Sequence, residues 1–118
     1  MARYIWLAFT NPVDGQDAEF NRWYNDEHMP DVLGIDVISA AQRFEFAGCS
    51  GGPEPHQRYL AIYEVEAGSP EEAMAAVNKA RAEPGRMRGT KTLDPDILQW
   101  YFRPIGPRVC PDPTPGRD

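Results

Sequence analysis

The sequence predicts a small α+β domain in which an antiparallel sheet carries helices on one face. Three observations lead to this prediction. The length of 118 residues suits a single hydrophobic core. Short runs rich in β-branched and aromatic residues occur together with two longer segments whose apolar residues recur at helical spacing. Glycine and proline separate these runs, as is typical of turns.

The first half of the chain predicts a strand, a helix and a second strand. Residues 3–10 are β-branched, aromatic and aliphatic, and the run is too short for a helix. Over residues 16–28 the aromatic side chains recur at helical spacing. Pro30 disfavours helical geometry at the residue before it, so this helix should end near His28. Polar and apolar residues then alternate over residues 37–47, which indicates the second strand.

The second half predicts a strand, a helix and a last strand. Residues 57–66 show the clearest strand pattern of the chain. Ser69 and Pro70, with a glutamate three residues after the serine, are typical of a helix start, and the helix should run to about residue 83. Residues 97–105 give the last strand.

The resulting order βαββαβ is that of a ferredoxin-like fold, with four antiparallel strands and both helices on one face of the sheet. The strands carry too many aromatic and aliphatic residues for the other face to stand in water. We therefore expect a homodimer formed through the open sheet face. Residues 1–105 should form this single domain, and the proline-rich residues 106–118 should form an extended or disordered tail.

Composition argues against several classes of function. The net charge is −6 and the basic residues are scattered, so nucleic acid is not an expected partner. No apolar run approaches the roughly 20 residues that span a bilayer, and no signal peptide is recognisable, so we expect a cytoplasmic protein without membrane contact. The sequence leaves open whether Cys49 and Cys110 form a disulfide. With two distant histidines, His28 and His56, no metal-ligand spacing is visible, and we expect neither a metal nor a cofactor.

His28 is the first candidate for chemistry. Imidazole, with an ordinary pKa of about 6.5, acts as acid or base near neutral pH. The aromatic face of its helix should point to the sheet, which would place the ring in the cleft between helix and sheet. The structural alternative is a histidine that bonds the last carbonyls of the helix. Tyr24, one turn earlier, would either donate to a carbonyl or enolate oxygen or simply belong to the core.

Four further residues are candidates for contacts with a substrate. Trp23 would form a wall of the pocket, and the remaining three would face it from the strands. Alternation along a strand does not say which of its faces is the inner one, so the orientation of the strand residues stays open. The three strand candidates are Arg43, Tyr63 (or else Tyr59) and Trp100 (or else Tyr101).

The residues Glu-Phe-Asn-Arg-Trp-Tyr-Asn-Asp-Glu-His-Met-Pro-Asp-Val-Leu, at positions 19–33, resemble the signature helix of EthD-like members of the dimeric α+β barrel superfamily. Residues 39–44 resemble the second strand of that family. The resemblance implies two sheets stacked into a shared barrel, with a pocket between the sheet and helices of each subunit. Relatives in the superfamily include polyketide cyclases, dehydratases, isomerases, cofactor-free monooxygenases and haem-degrading enzymes, so the fold does not select a reaction.

Two functions remain open. The first is a cofactor-independent lyase, cyclase or isomerase acting on a hydrophobic, oxygenated molecule of aromatic or polyketide-like type. In it His28 would move a proton and Tyr24 would stabilise oxyanion charge, which supports cyclisation, dehydration or isomerisation. The second is a non-catalytic small-molecule-binding or accessory homodimer. A third and less favoured hypothesis is a haem-binding, monooxygenase-like protein in which His28 binds the haem.

Overall fold

The computed structural model describes residues 1–113. Within these residues, four strands, three α-helical segments and one π-helical turn follow one another. The strands are β1 (Ala2–Thr10), β2 (Ile38–Glu45), β3 (Tyr59–Ala67) and β4 (Leu98–Phe102). The helical segments are α1 (Asp17–Trp23), the π turn (Tyr24–His28), α2 (Met29–Leu33) and α3 (Pro70–Ala82).

The sheet has the strand order β2-β3-β1-β4, and each neighbouring pair is antiparallel. With the helices between β1 and β2 and between β3 and β4, this confirms the predicted ferredoxin-like α+β fold. β1 lies at the centre, where Trp6 pairs with Tyr63 of β3 on one side and with Tyr101 of β4 on the other. Dimerisation stays a prediction at this point.

The prediction that the first helix ends near His28 is wrong. Helical geometry continues through Pro30 to Leu33, because the chain widens into the π turn before it reaches the proline. At the end of this turn the Met29 N–H donates to the carbonyl of Tyr24, five residues back. In a regular helix the proline ring would clash with the carbonyl four residues back, and the wider turn gives that carbonyl room to move aside.

The helices cover one face of the sheet, and the core lies between the two layers. Strand alternation sends every second residue of β1 and β3 into this layer, and Phe20 of α1 packs there with an exposed fraction of 0%. Fully burying a side chain of this kind contributes roughly 1.5–3 kcal/mol. We call this side the covered face. Its buried strand residues are Tyr4, Trp6, Ala8, Thr10, Ile38, Tyr59, Ala61, Tyr63, Val65 and Ala67.

On the other side of the sheet lies no helix of residues 1–113, and we call this side the open face. The residues that alternate with the buried ones point to this side, and the register places them beside one another across β1, β3 and β4. Many are large and apolar. They include Ile5, Leu7, Phe9, Leu60, Ile62, Leu98, Trp100 and Phe102.

The start of α3 agrees with its sequence signature. The Ser69 hydroxyl accepts a hydrogen bond from the Glu72 N–H at 3.1 Å. The Glu72 carboxylate in turn accepts from the Gly68 N–H at 3.0 Å. These two bonds satisfy backbone donors that the first turn of a helix otherwise leaves open.

The end of the described chain has little regular structure. Residues 106–113 form neither helix nor strand, and residues 114–118 of the expected tail lie outside the described residues. Cys49 and Cys110 are both exposed free thiols. In residues 1–113, no helix has the length and apolar character that crossing a membrane requires.

Candidate functional site

His28 closes the π turn and is held between two aromatic rings. Its imidazole stacks on the Trp23 indole, with ring centroids 4.7 Å apart, and meets the Tyr24 ring edge-on at 4.9 Å. The Trp23 indole N–H donates to the carbonyl of Arg88 at 3.2 Å, which fixes the ring on which the imidazole rests. Because the helix continues into α2, His28 does not cap a helix end, and the capping alternative is wrong.

The surroundings keep the imidazole neutral. Burial first, and then the positive charge of Arg81, lower the pKa of His28 from its ordinary value of 6.5 to about 4. The negative charge of Asp31 raises the pKa of His28, and the positive charge of Arg43, the smallest of these effects, lowers it. At pH 7 the ring therefore offers one nitrogen with a free lone pair, the form that accepts a proton.

A cavity of about 70 Å³ lies next to this imidazole, with room for a few water molecules. Its walls come from β1, α1, the π turn, β3, α3, β4 and the segment before β4. The cavity is therefore a product of the tertiary fold. The lining residues are Trp6, Ala8, Thr10, Trp23, Tyr24, His28, Tyr63, Arg81, Leu93, Ile97 and Gln99.

Two buried tyrosine hydroxyls meet at this cavity. The Tyr24 and Tyr63 oxygens are 3.0 Å apart and share a hydrogen bond. Burial raises the pKa of both phenols, so both keep their protons at neutral pH. Only one of the two protons lies between the oxygens, and the other remains for an acceptor.

Arg43 is not among the residues that line the His28 cavity. Its guanidinium lies 4.2 Å over the Tyr24 ring and donates to the side-chain oxygens of Asn21 at 2.9 Å and Asn25 at 3.0 Å. The Tyr24 ring thus contacts both the guanidinium of Arg43 and the imidazole of His28. Arg43 itself lines a separate surface groove of about 360 Å³.

Trp100 lies on the open face and does not meet the other candidates. The register pairs it with Leu7, and its ring packs edge-on against Phe9 at 5.2 Å. The structure thus brings His28, Tyr24, Trp23 and Tyr63 together. Arg43 lies outside the cavity, and Trp100 lies on the opposite side of the sheet.

The cavity also contains polar groups that the sequence did not single out, among them Trp6, Arg81 and Gln99. Each of the three lies on a different element, so no local spacing links them to His28. Their meeting depends on the strand register and on how α3 packs, which one sequence does not disclose.

The site gives no support to a haem. Pockets for ligands of cofactor size measure roughly 300–1,000 Å³, well above the cavity at His28. Across residues 1–113, no three His, Cys, Asp or Glu side chains are grouped so that they could hold a metal ion.

The fold and the site define a ferredoxin-like α+β domain with a small aromatic cavity beside its first helix. The structure is similar to the crystal structure of an ethyl tert-butyl ether D (EthD) family protein from Bacillus halodurans C-125. The TM-score is 0.52 and the identity 13%, with 89% of this chain and 100% of that chain covered. The resemblance to the EthD family is thereby confirmed at the level of the fold, which does not specify an activity. No protein-family model matches the chain, and no curated protein matches it.

Proposed function

We propose that this chain is a cofactor-independent enzyme that moves a proton next to a carbonyl of a hydrophobic, oxygenated substrate of aromatic or polyketide-like type. One observation carries the proposal: the neutral imidazole of His28 borders a cavity that also contains Tyr63 and Arg81. A base, a hydroxyl donor and a positive charge around one small space are what enolate formation requires.

In the proposed reaction, His28 removes a proton from the carbon beside the carbonyl. The electron pair of the broken C–H bond moves onto the carbonyl oxygen and forms an enolate. The free proton of the Tyr24–Tyr63 pair and the charge of Arg81 stabilise this oxygen. Return of the proton to another atom isomerises the substrate, loss of a β-hydroxyl as water dehydrates it, and attack on a second carbonyl closes a ring.

The pKa of His28 in the empty site is that of a weak base, so proton removal by its imidazole depends on the substrate. The imidazole is unprotonated at neutral pH, and in an empty site it holds a proton weakly. An enolate formed beside it favours the charged imidazolium, because an opposite charge nearby raises the pKa. Proton transfer is thus coupled to the development of charge on the oxygen.

The size of the cavity limits what enters it. A volume of about 70 Å³ accommodates a carbonyl and its neighbouring carbons, not a complete aromatic substrate. Leu93 and Ile97 line the cavity from the segment between α3 and β4. We propose that this segment shifts to admit the apolar remainder of the substrate.

We further propose that the protein acts as a homodimer joined through the open face. Ile5, Trp100 and Phe102 are 37–49% exposed there, in a part of the sheet that no helix covers. A second copy would bury these side chains, and a two-fold arrangement gives a closed assembly.

The test is exchange of deuterium for hydrogen on acetone in D₂O, followed by NMR, because acetone is a carbonyl small enough for the cavity. We expect the wild-type protein to accelerate exchange at neutral pH, and His28→Gln to lower the protein-dependent rate about 10²- to 10⁴-fold. His56→Gln is the matched control, since His56 is exposed and contacts Asp96 at 3.1 Å, away from the cavity. A folded His28→Gln protein that exchanges acetone as fast as wild type would contradict the proposal.

A non-catalytic binding or accessory homodimer is the second candidate. The close packing of His28 against Trp23 and Tyr24 favours it, because such packing also suits a structural residue. In that case His28→Gln should lower the melting temperature and leave the affinity for acetone unchanged, with no protein-dependent exchange in wild type.

A further inference from the structure

Trp6 lies at the centre of the covered face with its ring locked in place. Its exposed fraction is 2%. The indole packs against Tyr63 of β3 with centroids 4.5 Å apart, and stacks parallel to Tyr101 of β4 at 5.8 Å. The ring therefore cannot turn its N–H toward solvent without displacing both neighbours.

Among residues 1–113, the indole N–H of Trp6 has no hydrogen-bond partner. Within residues 1–113, it is the only buried side-chain nitrogen or oxygen without a hydrogen bond. A buried donor left in this state costs about 1–3 kcal/mol. Trp23 provides a comparison inside the same chain, because its N–H reaches the Arg88 carbonyl. A phenylalanine at position 6 would pack without the penalty, so the retained indole suggests a role for its N–H.

Trp6 lines the same cavity as His28, Tyr63 and Arg81. All four side chains offer hydrogen-bond donors, and Arg81 adds a positive charge. Such a site favours a ligand atom that accepts hydrogen bonds and carries partial or developing negative charge. A carbonyl oxygen meets both conditions, whereas an ammonium group meets neither.

We propose that the Trp6 indole N–H is a further hydrogen-bond donor, beside the Tyr24–Tyr63 pair, that holds the carbonyl oxygen of the ligand in the His28 cavity. The inference rests on the proposed function for its site and its ligand class. It is independent of whether His28 removes a proton, since a ligand that binds without reacting needs the same donor.

The test follows the indole N–H signals by ¹H–¹⁵N NMR while acetone is added to the full chain. The chain has three tryptophans, and Trp→Phe variants assign the three signals. We expect the Trp6 signal to move downfield and to saturate. The signals of Trp23, which is already bonded, and of Trp100, which is on the open face, should move little. A Trp6 signal that stays in place while acetone binds, or that moves no more than the other two, would overturn the inference.

Trp6→Phe gives a second readout. Loss of one neutral hydrogen bond of about 1 kcal/mol should weaken acetone binding about fivefold. A purely structural Trp6 would change stability alone and leave the affinity as in wild type, which would refute the role proposed. If the variant does not fold, the titration of wild type decides the question.

His28→Gln separates this inference from the proposed function. If Trp6 is the donor, its signal still shifts with acetone in that variant, whether or not exchange is lost. Catalysed exchange in wild type without a Trp6 shift would leave the role of His28 standing and remove that of Trp6.

Discussion

The two faces of the sheet differ although they share the same strands. On the covered face Trp6 and Tyr63 are 2% and 1% exposed. On the open face Trp100 and Phe102 are 48% and 49% exposed, although they are as large and as apolar. The strand alternation that sends one residue into the core sends the next to the uncovered side.

This difference separates two sources of stability, which are packing within the chain and association between copies of it. The covered face is completed within the chain, and it includes the His28 cavity. The open face, we propose, is completed by a second copy. Substitutions on the first face should change the stability of the chain itself, while substitutions on the second should act through association.

Phe20→Ala should have the largest effect, a loss of about 3–5 kcal/mol in the free energy of unfolding, because it empties a fully buried site. Phe102→Ala is the matched substitution on the open face. Urea unfolding at several protein concentrations measures both. The Phe20 loss should not depend on concentration, and the Phe102 loss should. If both variants lost the same free energy of unfolding at every protein concentration, the proposed difference between the two faces would be wrong.

Lowering the pH should lower the free energy of unfolding through His28. The unfolded histidine binds a proton below pH 6.5, whereas the folded one stays neutral down to about pH 4. Stability should therefore fall as pH drops from about 6.5 to about 4, by up to about 3 kcal/mol. Arg81, Arg43 and Asp31 face the ring, and Asp31 also titrates at acid pH.

Comparison with His28→Gln isolates this contribution, and His56→Gln serves as the control. Urea unfolding of the three proteins between pH 7 and pH 4.5 gives the measurement. If His28→Gln loses as much stability as wild type over this interval, His28 is not the group responsible.

Trp100→Ala tests the open face. Truncation of a central aromatic side chain in an interface typically costs about 2 kcal/mol, which is about a 30-fold weaker dimer. Met74→Ala is the control, because Met74 is a large apolar residue, 42% exposed, on α3. Analytical ultracentrifugation measures the dissociation constants. A wild-type protein that is monomeric at high concentration would refute the dimer, and equal effects of the two variants would place the interface elsewhere.

Ser69→Ala should have the smallest effect, a loss of about 1 kcal/mol, because the first turn of α3 loses the acceptor for the Glu72 N–H. Ser69→Asp keeps an acceptor at this position and should retain most of the stability. Thermal unfolding of the two variants checks the prediction. Equal losses of stability in Ser69→Ala and Ser69→Asp would show that a side-chain acceptor at this position contributes little.

The parts of the fold that depend on local chemistry were predictable from the sequence. Ser69 and Pro70 start α3 through contacts within one turn, and the strands follow from composition and turn residues. The continuation of the first helix past Pro30 was not predictable, because a proline normally ends a helix and only a change of pitch accommodates it.

The site was predictable only in part. Trp23, Tyr24 and His28 lie on one helix, so spacing alone grouped them. Trp100 illustrates the limit, because its face depends on the register with β1, which a single strand does not reveal. Arg81 reaches the cavity from α3, through packing between elements far apart in sequence.

The π turn has a consequence for insertions and deletions. A π turn amounts to one residue added to a helix, so removing a residue such as Asp26 would restore the regular pitch. The wide turn absorbs the additional residue, so the helix after the deletion would keep its direction relative to α1 and His28 would keep its place. Pro30, however, would then meet an ordinary helical carbonyl, which is the clash that breaks helices. The additional residue is thus what allows a proline inside this helix.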